Sequence, residues 1–214
     1  MKAALCLLSA LLLVPLVAEA GEVLVDRIVA TVGDTPITAS EVGFEAAVRE
    51  RIRGLEPADR TVFGRLLLEE REPLEAVVFR AILVESTEYA DVQDPDERVA
   101  YDRFRAFEDT FADRSSAAAF RKSWGLSRVE ALDWFRIYAR LDETVETAVA
   151  RSVRVTEEDE RRYHDANVDR VFGGRSFEDV REDVARAVSA QKFDQAYQSW
   201  RKRVRAGARL RYLR

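Results

Sequence analysis

The chain carries one histidine, His164, set between Tyr163 and Asp165 in an acid-rich stretch. An imidazole offers two kinds of chemistry, a charge change near neutral pH or a bond to a metal ion. With no second histidine and only carboxylates near it, His164 reads as a surface residue. Two acidic runs, "EERE" at Glu69–Glu72 and "TEEDE" at Thr156–Glu160, imitate the acid pairs of hydrolysis. In so charged a chain they read as solvated helix faces and as partners for the positive ends of helices. "GDT" at Gly33–Thr35 has neither base nor nucleophile beside it and reads as a turn. "FGG" at Phe172–Gly174 lacks the strand–loop–helix context of a phosphate loop. It is either an ordinary connector or the relic of a removed insertion. There is no H-E-x-x-H, no G-x-S-x-G and no cysteine pair. No catalytic residue, metal site or cofactor is expected.

Apolar faces carry more information than polar clusters here. Between Ser127 and about Arg151 a long helical pattern presents one stripe at Trp134, Tyr138, Leu141, Val145 and Ala148. A second set, Leu132, Phe135 and Ala139, lies about a third of a turn away at 100° per residue. One face can meet the terminal helix. The second either meets another helix or lines a groove for unfolded polypeptide, and Leu132, Phe135 and Ala139 are the candidate peptide-binding residues. The aromatic stripe Phe104, Phe107 and Phe111 reads as core.

The elements that must hold these faces begin after a leader. Met1–Lys2, an apolar run from Ala3 to Val17 and "AEA" at Ala18–Ala20 form a signal peptide with cleavage between Ala20 and Gly21. The run is too short to span a bilayer. Cleavage removes the one cysteine, Cys6, so the exported chain relies on its core without disulfides. The formal net charge is −5, with 34 basic and 39 acidic residues mixed along the whole chain. Such mixing argues against nucleic acid as partner, and no second long apolar run argues for stable membrane insertion after processing.

"RIVATVGDTPIT" reads as strand, turn and strand, with Ile28, Ala30 and Val32 on one face and Pro36 at an edge. Thr38 with Glu41 forms a capping box, and Ile37 with Val42 a hydrophobic staple. Helical spacing follows at Phe44, Val48 and Ile52, up to Gly54. "TVFGRLLLEERE" reads as helix despite Gly64. Pro73 opens a helix carrying Leu74, Val77, Val78, Ala81, Ile82 and Tyr89, and "DPDE" opens another with Pro95 as its first residue. "SSAAAFRKSWG" is a short helix closed by Gly125. Ser127 with Glu130, Thr156 and Ser176 mark three more starts. The last helix runs to Gly207, and "RLRYL" alternates as a strand. The fold class is mainly α with a small antiparallel sheet. Residues 1–20 form the leader and 21–214 one domain, its first part 21–170 and its returning helix and strand 171–214.

"VDRIVATVGDTPITASEV" resembles the opening of the SurA family of periplasmic chaperones. "VTEEDERRYHDAN" is similar to the helix that in this family leads toward a parvulin domain, and Trp200 with "LRYL" resembles its closing segment. The resemblance implies a helical chaperone body whose C-terminal strand joins the N-terminal hairpin. It implies a periplasmic location and unfolded outer-membrane or periplasmic polypeptides as partners. Only Asn167–Ser176 stands where a parvulin module of about a hundred residues would fit. The isomerase is therefore expected to be missing. The alternatives are residual prolyl isomerase activity or a non-catalytic scaffold for one folded partner.

Overall fold

The computed structural model describes residues 26–93 and 95–213, so the leader and the Ala20–Gly21 cleavage site lie outside the described residues. Strands β1 (Ile28–Val32) and β2 (Thr35–Thr38) come first. Helices α1 (Ala39–Arg53), α2 (Pro57–Arg60), α3 (Arg65–Glu69), α4 (Pro73–Val84) and α5 (Thr87–Asp91) follow. Then come α6 (Glu97–Glu108), α7 (Arg114–Ser123), α8 (Arg128–Ala150), α9 (Glu157–Asn167), α10 (Phe177–Gly207) and strand β3 (Leu210–Tyr212). The fold is mainly α with one three-stranded antiparallel sheet in the order β2-β1-β3.

That order places the last strand beside the first. A two-stranded hairpin is marginal in water, and a third strand with an apolar face gives it support. Ala30, Val32 and Ile37 are buried against Val77, Val78 and Ile82 of α4, with Leu210 and Val204 at the margin. Two details differ from the alternation read in the sequence. A register shift between Ile28 and Ala30 turns Ile28 outward, 44% exposed. Tyr212 is also exposed at 48%, and its hydroxyl donates to Glu75 at 2.6 Å while accepting from Arg205 at 2.9 Å. The hairpin turn places Gly33 at φ +55°, as a two-residue loop with glycine first requires. Thr35 Oγ1 donates to Glu85 at the end of α4, 2.5 Å away.

Local chemistry explains most helix ends. Thr38 Oγ1 accepts from the Glu41 amide, while the Glu41 carboxylate turns to Arg80 instead of back to the cap. Ser127 with Glu130, and Thr156 with Asp159, form complete capping boxes. Ser176 stands at the N-cap of α10, but its hydroxyl donates to Asp179. The continuous helix read over "TVFGRLLLEERE" is broken. Gly64 adopts φ +77°, and a Cβ there would sit 2.0 Å from Asp142 Oδ2. The helix opened by "DPDE" starts two residues later than read, with Asp96 as N-cap and Glu97 as first residue. Asp96 accepts from the Arg98 amide, which displaces Pro95 from the helix; Asp94 lies outside the described residues. Tyr89, grouped in the sequence with the α4 stripe, belongs to the separate α5.

The main core gathers α1, α3, α4, α6, α8 and the C-terminal half of α10 around Phe44, Phe104, Phe135, Tyr138 and Trp200. α10 also carries a second, smaller core at its other end. Phe177, Val180, Val184 and Val188 pack there with Phe172 and, at the margin, Tyr163 of α9. One helix thus connects three clusters, since Val204 touches both the main core and the sheet.

Candidate functional site

Phe135 and Ala139, proposed from the sequence as groove residues, are 1% and 3% exposed. Phe135 sits among Phe104, Phe107 and Trp134, with ring centroids 6.0, 5.5 and 4.9 Å away. Leu132 is half-buried against the same cluster. The groove reading of Leu132, Phe135 and Ala139 is therefore corrected to core. The physical reason is α6, whose stripe of Ala100, Phe104 and Phe107 needs a partner and takes this face of α8. Phe111 lies partly buried at the end of that stripe, with the Arg51 guanidinium 3.6 Å above its ring.

Beneath the apolar contacts lies a group of charges that periodicity alone did not single out. Glu45 and Arg49 of α1 are 0% and 3% exposed, and Arg80 of α4 is 9% exposed. Glu45 Oε1 accepts from Arg49 Nε at 2.7 Å and from the Tyr138 hydroxyl at 2.5 Å. Arg49 also donates to the carbonyls of Leu67 at 2.7 Å, Glu70 at 3.0 Å and Leu66 at 3.1 Å. These are carbonyls at the C-terminal end of α3, which has too few residues to be stable by itself. At the other end Asp142 Oδ1 accepts from the Leu66 amide, while Oδ2 accepts from Arg103 at 2.8 Å. A buried charge from α1 and a partly buried one from α8 thus hold α3 by both termini.

Burial pushes the Tyr138 phenol above its ordinary value, and the Glu45 carboxylate adds to the rise. Burial likewise raises the Asp142 carboxyl against the opposing pull of Arg103. Glu45 Oε2 makes no hydrogen bond among the described residues. A neighbouring cavity of about 10 Å³, bordered by Arg49, Arg80, Tyr138 and Arg201, has room for roughly one water. This arrangement ties helices together. It does not present its carboxylates to an open cleft.

The other polar residues fall out differently from one another. Glu69 pairs with Arg65 at 2.8 Å and Glu70 with Arg201, so "EERE" is spread over separate ion pairs. In "TEEDE", Glu157 pairs with Arg161 and Glu158 with Arg162, both at 2.7 Å. Asp159 joins α9 to Lys192 of α10. Hydrogen bonds from Lys192 and then Thr156 hold its carboxyl well below the usual carboxylate range. His164, read as a surface residue, is 7% exposed. Its ring stacks on Phe172 with centroids 5.6 Å apart, and Nε2 lies 2.9 Å from the Arg175 carbonyl. The loop at 168–176 folds its apolar Phe172 under α9 and so covers the histidine. Among the described residues, no group of three or more His, Cys, Asp or Glu is placed to hold a metal ion.

Among the open clefts on the surface of the described residues, two stand out by the aromatic, amide and charged groups that line them. One, of about 830 Å³ beside α6 and α7, is lined by Tyr101, Phe111, Arg105, Arg114, Arg121 and Arg128, with acids between them. Arg121 and Arg128 are both held there by Glu108. The second, of about 590 Å³ between α9 and α10, presents Tyr163, Asn167, Arg170, Gln191 and Gln195. Side-chain amides offer donors and acceptors together, the complement of a peptide backbone of any sequence. No helix among the described residues is long and apolar enough to cross a membrane. A scan against protein-family models and a search of curated proteins found no match to the chain.

Proposed function

We propose that this protein is an ATP-independent, chaperone-like protein of the periplasm that holds unfolded outer-membrane or other exported polypeptides. The observation that carries the reading is the pairing of β3 with β1, which closes a helical body by joining its two ends. That arrangement is the one implied by the resemblance of the terminal segments to the SurA family. The open clefts beside α6–α7 and between α9 and α10 support the reading further, since they offer mixed aromatic, amide and charged surfaces. Client side chains fully covered in such places contribute about 1.5–3 kcal/mol each. A few shallow contacts together reach about 8 kcal/mol, a micromolar affinity that permits release.

A folding catalyst is the less favoured alternative, because the span between α9 and α10 is a loop whose Phe172 belongs to the local core. The test is fluorescence anisotropy with one labelled outer-membrane barrel, presented unfolded and then folded. The unfolded form is expected to bind with a Kd of about 1 μM and the folded form not at all. Equal binding to both forms, or acceleration of proline isomerisation in a peptide, would replace this reading with a scaffold or an isomerase.

A further inference from the structure

The two outer edges of the sheet are not equivalent. On β2 the residue opposite Thr31 is Pro36, in a position whose backbone nitrogen faces away from β1. Proline there has no donor to offer, so that edge is blunted. On β3 the pairing with β1 is Ala30 with Tyr212, Thr31 with Arg211 and Val32 with Leu210. Gly33 N donates to Arg209 O at 2.8 Å and Leu213 N to Val29 O at 2.9 Å. In an antiparallel pair hydrogen-bonded positions alternate, so Arg209, Arg211 and Leu213 bond inward to β1. The backbone groups of Leu210 and Tyr212 consequently point outward. The Leu210 amide is taken up by Ala208 O at 3.1 Å. The Tyr212 N–H, the Tyr212 carbonyl and the Leu210 carbonyl have no backbone partner among the described residues and form an edge open to a further strand.

Charge selects what can occupy it. Arg211 on this strand and Arg209 just before it are exposed and have no ion-pair partner among the described residues. A second copy of the strand, paired about Leu210 or Arg211, would set arginine directly against arginine, which is destabilising. An extended segment with acids at alternate positions would meet both arginines while its backbone completes the ladder. We infer that the free edge of β3 binds an extended acidic polypeptide segment as a fourth antiparallel strand. This rests on the polypeptide-holding reading and gives it a binding mode in which main-chain bonds supply affinity and alternate side chains supply preference.

The distinguishing variants are Tyr212→Pro and Tyr212→Val. Both lose the phenol and its bonds to Glu75 and Arg205, but only the proline removes the outward N–H. Thermal melting confirms that each is folded. The probe is a fluorescent peptide with glutamates at alternate positions among threonine and valine, beside the same peptide carrying lysines. Tyr212→Pro is expected to bind the glutamate peptide about fivefold more weakly than Tyr212→Val, the effect of one lost backbone hydrogen bond. Arg209→Glu with Arg211→Glu is expected to reverse the preference toward the lysine peptide. Equal binding by the two Tyr212 variants, or no discrimination between peptides by the unaltered protein, overturns the edge site. The unfolded barrel is titrated alongside. If it binds undiminished to Tyr212→Pro, the edge site falls and the holding reading stands. Edge binding of the glutamate peptide without any barrel binding has the opposite meaning: the edge site stands and the holding reading falls.

Discussion

Phe135→Ser is expected to destabilise the protein by about 3–5 kcal/mol, a large part of the ~5–15 kcal/mol that keeps a domain folded. The ring fills the junction between α8 and α6, in edge or tilted contact with Phe63, Phe104, Phe107 and Trp134. Serine removes that packing and adds a hydroxyl where the neighbours are aromatic, so the cavity cost is joined by an unpaired polar group. Urea unfolding followed by circular dichroism checks it through the midpoint. A midpoint within error of the unaltered protein, together with lost binding of unfolded barrel, would return Phe135 to a groove and remove α6 from this face.

Glu45→Leu is expected to be of similar size, about 3–5 kcal/mol, because it leaves a buried guanidinium without its carboxylate. Arg49 would lose its 2.7 Å partner and the Tyr138 hydroxyl its acceptor, with Arg80 close by above the same ring. Adding Arg49→Met removes the orphaned charge but does not restore stability. The carbonyls of Leu66, Leu67 and Glu70 then lose their donor, each at about 1–3 kcal/mol where buried. The same urea series measures both variants. If the double variant regains the original midpoint, Arg49 serves Glu45 alone and does not fasten α3.

Much of the fold was legible because its signals are local. Ser127 with Glu130 and Thr156 with Asp159 are spaced for reciprocal capping, and both boxes form. Alternation in "RLRYL" identified β3, and Pro36 identified an edge. The misreadings share a different origin, in tertiary partners that the local pattern does not contain. Leu132, Phe135 and Ala139 were open to a helix or to a groove, because nothing in α8 announces that α6 will pack on this face. His164 looked solvated because its cover, Phe172, arrives from a loop. Gly64 breaks a helix where Asp142, far along the chain, needs the space.

The buried charges left a trace that periodicity can recover. At 100° per residue, Phe44, Val48 and Ile52 sweep an arc of about 80°, with Glu45 about 20° and Arg49 about 60° beyond its edge. A glutamate and an arginine four residues apart beside an apolar face are a reason to look for a buried pair, although their spacing alone also suits a solvated one. What they bond to was not legible: Tyr138 lies on another helix and the three carbonyls in a segment read as continuous helix.

The most direct test of the proposed holding function is light scattering from an unfolded outer-membrane barrel diluted out of urea, with a chain of residues 21–214 present and no nucleotide added. Near-equimolar protein is predicted to suppress the scattering, and to do so without ATP. Unchanged aggregation, with the protein itself folded by circular dichroism, would contradict the account.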